Sequence, residues 1–208
     1  MVKHRWWMAL AWLPLGFWAH ANEAARPVVK VGDVATYVVN MRGDKRTVEE
    51  VVTVLEVTGA QIRSQFARPD RTAEGLTTRE WGLVVSAASN TRFDPPIQSL
   101  KFPLTVGEAW TSKYVGTGTN QSQARGDLEF KVAATEKVQT PAGEFDTFRI
   151  ESKGWVTGIT WQGVVQVRQT FWYAPSISRY VKTEFQDWRN GRLWTDNLTE
   201  LKSFKPAP

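Results

Sequence analysis

The chain has 208 residues, of which 42% are hydrophobic and 23% are charged, a composition typical of globular proteins. Its formal net charge of +5 at pH 7 is too small an excess to indicate binding to nucleic acid. The chain has no cysteine, and both histidines, His4 and His20, lie within the first 21 residues. The remaining sequence therefore lacks the usual zinc ligands and the residues of Ser-His-Asp and Cys-His catalytic groups.

The N-terminal residues have the pattern of a secretory signal peptide. Residues 1–5 are basic, residues 6–18 are almost wholly apolar, and residues 19–21 (Ala-His-Ala) form a cleavage signal. The apolar run is shorter than the roughly 20 residues that cross a bilayer, so we expect no transmembrane span after cleavage. Removing Lys3 and Arg5 leaves 26 − 2 = 24 basic against 21 acidic side chains, a net charge of +3. We expect a bacterial protein exported by the general secretion route to the periplasm or the medium.

The first half of the mature chain favours β-strands. Residues 34–39 and 47–57 are rich in β-branched side chains, which pack well on a pleated sheet. Residues 76–85 are predicted to form one further strand. The polar residues 86–96 are predicted to form a connector that ends at Pro95-Pro96.

The second half alternates polar and apolar residues more clearly. Leu128 and Phe130 share one predicted strand face, and 163–173 is predicted to form a long strand with one apolar face. Asn190-Gly191 is the sharpest local signal, because a two-residue hairpin turn of type I′ favours Asn-Gly.

The Asn-Gly turn also predicts a register for the hairpin around it. If the two strands pair without interruption, Trp188 lies opposite Leu193. In the same register Asp187 lies opposite Trp194, and Glu184 lies opposite Asn197.

No segment shows a sustained helical period, and turn signals recur roughly every ten residues, as in sandwiches and barrels. We therefore predict one all-β domain over residues 22–208: a strongly twisted antiparallel sheet that curls into a barrel or half-barrel. Residues 31–37 (Val-Gly-Asp-Val-Ala-Thr-Tyr) resemble residues 106–114, which begin Val-Gly-Glu. This internal sequence similarity predicts two similar halves, 28–96 and 97–204.

Three motifs in the second half carry a resemblance to a known group. They are Phe-Pro-Leu-Thr-Val-Gly-Glu-Ala-Trp at 102–110, Thr-Pro-Ala-Gly-Glu-Phe-Asp-Thr-Phe-Arg-Ile at 140–150, and Phe-Trp-Tyr-Ala-Pro at 171–175, followed by Arg-Tyr-Val-Lys at 179–182. Over residues 97–204 the chain resembles exported bacterial proteins labelled TapB-like. The resemblance implies an envelope or secreted β-domain. It implies no catalytic residue, and motifs of this kind identify a fold more than an activity.

Tryptophan is the most conspicuous candidate for binding. Seven tryptophans follow residue 21, and five of them fall within 40 residues of the second half. Aromatic side chains of this density form either a ligand surface or an ordinary core with cross-strand pairs. On the first interpretation, the predicted ligand-binding residues are Val165, Val167, Phe171, Trp155, Trp161, Trp172, Trp194 and Glu184.

Acidic residues offer the remaining route to catalysis. Glu184 with Asp187, or Asp127 with Glu129, provides the two carboxylates that glycoside hydrolysis requires. Carboxylates on alternating strands more often form a solvated face, and cross-strand charge ladders are common. No stretch has the spacing of a calcium-binding loop, so we predict no metal and no cofactor.

Three hypotheses of function follow. The first is a non-catalytic protein that holds an apolar or amphipathic envelope molecule, such as a lipid, on its curved sheet. The second is a structural or assembly protein that docks an envelope protein through a sheet edge or an aromatic tip. The third, which we favour least, is a hydrolase that works with carboxylates alone.

Overall fold

A computed structural model describes residues 23–208 of the chain. The predicted signal peptide, residues 1–21, lies outside the described residues and stays a prediction, as does the division into halves. The described residues form fourteen strands and one short 3-10 helix, Pro175–Ile177. The strands are β1 (Glu23–Ala24), β2 (Val34–Met41), β3 (Arg46–Val57), β4 (Gln61–Arg68), β5 (Arg71–Thr78), β6 (Leu83–Val85), β7 (Arg92–Ile97), β8 (Leu104–Thr105), β9 (Ala109–Thr117), β10 (Gln123–Thr140), β11 (Gly143–Gly158), β12 (Val164–Ala174), β13 (Arg179–Arg189) and β14 (Arg192–Lys205).

Twelve of these strands form a closed antiparallel barrel. Strands β2 to β7 follow one another around the wall, β7 pairs with β9, and β9 to β14 complete the circuit. The barrel closes where β14 pairs with β2. The all-β prediction is confirmed, and the sheet closes fully. Within residues 23–208, no helix has the length and hydropathy needed to cross a bilayer.

Two predictions in the first half were wrong. Residues 76–85 do not form one strand, because β5 ends at Thr78 and a turn containing Trp81, with φ of 62°, separates it from β6. Residues 86–96 are not simply a connector, since 92–97 form β7 even though Pro95 and Pro96 lie within it. Proline cannot donate a ladder hydrogen bond, and the β7–β9 pairing ends at Asp94, just before the two prolines.

The Asn190-Gly191 turn forms as predicted, with positive φ at both residues. Trp188 lies opposite Leu193, also as predicted. Beyond that pair the predicted register was wrong, because a β-bulge leaves Trp194 without a partner and shifts every later pair by one residue. Asp187 therefore lies opposite Thr195, and Glu184 lies opposite Leu198.

The two similar segments adopt the same local structure. Gly32 and Gly107 both have φ near +90°, a conformation that glycine adopts without steric cost. The Gly32 amide donates to the Val54 carbonyl at 2.9 Å, and the Val54 amide donates back to Asp33. Gly107 and Glu108 form the same pair of hydrogen bonds with Val132. Each segment therefore joins the barrel through the same reciprocal pair of backbone hydrogen bonds.

The largest core cluster fills the side of the barrel formed by β9 to β12. Leu128 and Phe130 of β10 pack there with Ile150 of β11. Residues 98–105 pack against this wall through Leu100 and Leu104, whose side chains are fully buried. The pairing of β1 with β8 belongs to the same region, since Ala24 lies opposite Leu104. This side of the interior is therefore packed with side chains.

Candidate functional site

The opposite side of the barrel interior contains a cavity of about 420 Å³. Strands β3 to β6 supply most of its wall, and β2, β7, the connections on either side of β6 and strands β12 to β14 supply most of the rest. Much of the wall is apolar, and on β5 it includes the small residues Ala73 and Gly75, the second of which lies close against the Phe66 ring. The apolar lining includes Val52, Phe66, Leu76, Leu83, Val85, Ile97 and Phe171.

The cavity opens at one end of the barrel. Because neighbouring strands are antiparallel, six connections lie together at that end, those from β2 to β3, β4 to β5, β6 to β7, β9 to β10, β11 to β12 and β13 to β14. We call this the open end. Two lining residues beside these connections, Arg71 and Ala88, are exposed. The lining residues near the other end, such as Ser99 and Arg179, are buried.

A polar cluster forms the floor of the cavity. The Arg179 guanidinium donates to the Asp33 carboxylate at 3.1 Å, and both side chains are more than nine-tenths buried. The Tyr180 hydroxyl lies 2.9 Å from Ser99 Oγ. The Trp81 indole donates to the Ser178 carbonyl at 3.0 Å. These contacts tie the start of β2, the β5–β6 turn and the β12–β13 turn together, and they close this end of the cavity.

The side wall carries one charged pair and one unpartnered hydroxyl. Arg68 Nε donates to Glu50 at 2.5 Å, with both side chains less than one-fifth exposed. Thr77 Oγ1 is buried and has no hydrogen-bond partner within the described residues. Arg71 donates to the Ala88 carbonyl and forms no ion pair in the part of the chain that the structure describes. The site thus combines an apolar wall with a free cation at its mouth.

Two tyrosines of the floor are strongly affected by burial. Burial raises the pKa of Tyr37 to about 12, an effect that Arg179 partly offsets. Burial also raises the pKa of Tyr180 far above its usual value. Both hydroxyls therefore stay protonated at any physiological pH and serve as hydrogen-bond donors or acceptors. The Tyr37 hydroxyl donates to the Tyr180 carbonyl at 3.1 Å.

The predicted binding residues fall in different places. Phe171 lines the cavity, whereas Val167 is buried in the packed core and Val165 packs against that core. Trp172 is buried elsewhere, and its indole donates to Glu136 at 2.5 Å. Glu184 lies 3.6 Å from Arg42. The three remaining residues are exposed on the surface near the open end: Trp155, Trp161 and Trp194.

The candidate carboxylate pairs do not form a cleft. Glu184 and Asp187 are three residues apart on one strand, so their side chains point to opposite faces of the sheet. Asp127 and Glu129 are more than half exposed, and each lies within 4 Å of a lysine. They form the solvated charge ladder that was the alternative interpretation. Within residues 23–208, no group of three or more metal-ligating side chains comes together.

Sequence reasoning missed most of the cavity wall, because it concentrated on the tryptophan-rich second half. The wall depends on Ala73, Gly75 and Ala87 of the first half, which are too small to attract notice in a hydrophobic pattern. One available signal was the Arg-Thr-Ala-Glu-Gly-Leu run at 71–76, where small residues alternate with polar ones. Glycine within a strand often marks a site of close approach or a ligand.

Known proteins match this chain in structure but not in sequence. No protein-family model and no curated protein sequence matches this chain. A candidate lipoprotein from Parabacteroides distasonis has a similar solved structure, with a TM-score of 0.57 and 11% identity over 87% of this chain and 99% of that one. A candidate exported protein with a YmcC-like fold from Bacteroides fragilis matches with a TM-score of 0.53 and 16% identity, over 88% and 99% of the two chains.

The hypothetical lipoprotein YmcC of Escherichia coli matches with a TM-score of 0.50 and 15% identity, over 84% of this chain and 85% of that one. These three proteins are similar to this chain in fold, and at such low identity the likeness extends to the fold alone. Two of these three proteins are described by the name YmcC, and none of the three carries the TapB-like label. They are described as exported proteins or lipoproteins.

Proposed function

We propose that this protein is a non-catalytic, exported envelope protein that holds an amphipathic molecule in the barrel cavity. The observation that carries the proposal is the cavity of about 420 Å³ with a largely apolar wall. Small-molecule sites are typically about 300–1,000 Å³, mostly apolar, and provided with a few polar groups. The mouth of a β-barrel is a common place for such a site.

The energetics favour an occupant with an apolar tail. Each methylene group moved from water into an apolar wall contributes about 0.8 kcal/mol. A tail lying against Phe66, Leu83 and Phe171 gains this contribution along its length. The floor offers no unpaired charge, because Arg179 is already matched by Asp33. We therefore place the tail inward and the polar head at the mouth.

Arg71 indicates the chemistry of the head. Its side chain is exposed at the mouth and forms no ion pair among residues 23–208. A guanidinium binds carboxylate and phosphate groups through two parallel hydrogen bonds. An acidic amphiphile therefore complements the site better than a neutral one.

Location in the bacterial envelope belongs to the same proposal. The sequence of residues 1–21 predicts export, and the proteins with similar folds are described as exported proteins or lipoproteins. A periplasmic or secreted protein encounters acidic amphiphiles in the surrounding membranes. The absence of histidine and cysteine after residue 21 fits a binding role.

The proposal is tested by blocking the cavity. In Ala73→Trp and Ala87→Trp, an indole projects from the wall into the space of the cavity. Thr72→Trp is the matched control, because Thr72 is exposed on the neighbouring position of the same strand. Binding of N-phenyl-naphthylamine, a dye that fluoresces in apolar surroundings, is titrated for each protein. Circular dichroism establishes that each variant is folded.

We expect the dye to bind the unchanged protein and Thr72→Trp equally. Both cavity variants are expected to bind at least about tenfold more weakly, a loss of about 1.4 kcal/mol. A fatty acid should displace the dye from the unchanged protein, and Arg71→Ala should weaken that competition. The proposal is wrong if the unchanged protein does not bind the dye, or if folded cavity variants bind it as well as the control does.

A further inference from the structure

The exposed apolar side chains of the barrel are concentrated at the open end. Nine large hydrophobic residues are exposed among residues 23–208, and three of them, Val28, Val31 and Val106, lie near the opposite end. The other six lie at or beside two connections of the open end: Trp155, Ile159, Trp161, Val164, Leu193 and Trp194. Single exposed hydrophobic residues are ordinary, but a cluster of this kind marks an interaction site.

The six residues share one outer surface because their strands are neighbours. Strand β12 pairs with both β11 and β13, and Val165 lies opposite both Val156 and Arg189. The β11–β12 loop therefore lies beside the Asn190-Gly191 turn. The bulge at Trp194 places an indole that is 66% exposed next to that turn. We call this cluster the aromatic rim.

Basic residues surround the aromatic rim. Arg125 is exposed on β10, opposite Thr157 of β11, and Arg192 is exposed beside the Asn-Gly turn. Lys45 lies in the β2–β3 turn, which also packs close to Trp194. None of these three cations forms an ion pair within the described residues. Among the six connections of the open end, Asp44 is the one acidic residue that forms no ion pair within residues 23–208.

We propose that the aromatic rim docks the barrel onto an anionic membrane surface, with the mouth of the cavity turned toward the lipid. Tryptophan prefers the boundary between headgroups and acyl chains, where its ring is buried and its N–H stays hydrated. Lysine and arginine next to that boundary are attracted to anionic headgroups. The rim presents both kinds of residue on one surface.

A lipid surface explains this arrangement better than a protein partner does. Ile159 and Trp161 project from the β11–β12 loop, the other four lie on the strands beside the two connections, and cations flank the group, as expected for residues that insert between headgroups. The rim and the mouth lie at the same end, so docking brings the cavity to the source of its proposed occupant. The docking inference stands on the outer surface and holds even if the cavity has no ligand.

Vesicle flotation tests the docking directly. The purified protein is mixed with vesicles of phosphatidylcholine alone, or of phosphatidylcholine with phosphatidylglycerol. The rim variant carries Ile159→Ser, Leu193→Ser and Trp194→Ser. Its matched control carries Val28→Ser, Val31→Ser and Val106→Ser, which remove three exposed apolar side chains from the other end. We expect binding to the anionic vesicles, a loss of about tenfold or more in the rim variant, and no change in the control.

Charge reversal provides a second, independent arm. Arg125→Glu with Arg192→Glu is expected to weaken binding to anionic vesicles about tenfold or more. Lys131→Glu with Lys205→Glu makes the same net change away from the rim and should weaken binding far less. The proposal is overturned if the unchanged protein does not bind anionic vesicles, or if rim and control variants bind alike. Binding to envelope membranes but not to pure lipid would make the rim a protein-docking surface, and the membrane proposal would be wrong.

Discussion

Replacing Asp33 by alanine is expected to destabilise the barrel strongly, because this side chain fastens three parts of the chain at the floor. Its carboxylate accepts hydrogen bonds from the Arg179 guanidinium at 3.1 Å, from the Lys30 amide at 3.1 Å and from the Ala207 amide at 2.9 Å. The ion pair is almost wholly buried, with side-chain exposures of 4% and 6%. Alanine would leave the guanidinium buried and unpaired.

The size of the effect follows from that burial. Removing one partner of a buried ion pair typically costs about 3–5 kcal/mol, because the other charge is left without compensation. Whole domains of this kind are stable by only about 5–15 kcal/mol. The exposed pair of Arg63 and Glu74 is the natural comparison, with side-chain exposures of 40% and 49%. Breaking a surface pair of this kind costs about 0.2–1 kcal/mol.

Urea unfolding followed by tryptophan fluorescence measures the difference. With an m-value of about 2 kcal/mol/M, Asp33→Ala should lower the unfolding midpoint by about 2 M, whereas Glu74→Gln should lower it by less than about 0.5 M. Adding Arg179→Met to Asp33→Ala should restore part of the loss, since it removes the unpaired buried charge. If Asp33→Ala lowers the unfolding midpoint no more than Glu74→Gln does, the buried ion pair of the floor does not stabilise the barrel more than an exposed pair does.

Three further predictions concern the interior of the barrel. The four tyrosines should give no tyrosinate absorbance near pH 10, since burial raises the pKa of Tyr37, Tyr114 and Tyr173 to about 12 and that of Tyr180 further. These folded-state pKa values exceed the unfolded value of about 10. The contribution of the tyrosines to the free energy of unfolding is therefore fully present below pH 10 and is lost as the pH rises toward 12, which urea unfolding should show. Gly126→Ala should destabilise by about 1–3 kcal/mol, because a Cβ there would lie 2.0 Å from the Tyr114 ring, whereas Gly59→Ala meets nothing within 4 Å. Glu50→Gln frees the Arg68 charge in the cavity wall and should tighten the binding of a fatty acid relative to a neutral alcohol of equal length, in the dye-displacement assay.

Each of these three has a result that would contradict it. Tyrosinate absorbance appearing near pH 10 in the folded protein would mean that the tyrosines are accessible to water. Equal unfolding midpoints for Gly126→Ala and Gly59→Ala would mean that the Tyr114 ring is not held against β10. An unchanged ratio of acid to alcohol binding in Glu50→Gln would place the head of the ligand away from Arg68.

Local features of the barrel were readable from the sequence. The alternation that includes Leu128 and Phe130 identified a strand face that is buried, and Asn190-Gly191 identified a hairpin turn. Both signals act between residues that are close in the chain, where spacing alone determines which side chains meet. The register predicted beyond Trp188 and Leu193 was wrong because of the bulge at Trp194, and no local rule indicates which residue of a strand will be left unpaired.

Long-range features were not readable in the same way. Closure of the barrel depends on the pairing of β14 with β2, which joins opposite ends of the chain. The interior beside β9 to β12 is packed, with Leu100 and Leu104 buried there, whereas the wall that includes Ala73 borders the cavity. A hydrophobic pattern gives the inward face of each strand, but it does not tell which inward faces find a packing partner. The binding residues predicted from tryptophan density were therefore spread over cavity, core and surface.

Native mass spectrometry of the protein, purified gently from bacterial cells that produce the full chain, tests the binding proposal most directly. The proposal predicts a reproducible added mass that solvent extraction removes and that is identified as an acidic amphiphile. The same added mass should be present in Thr72→Trp and absent in folded Ala73→Trp. A bare chain mass for the unchanged protein, or an added mass that persists in folded Ala73→Trp, would contradict the assignment of the cavity as the binding site.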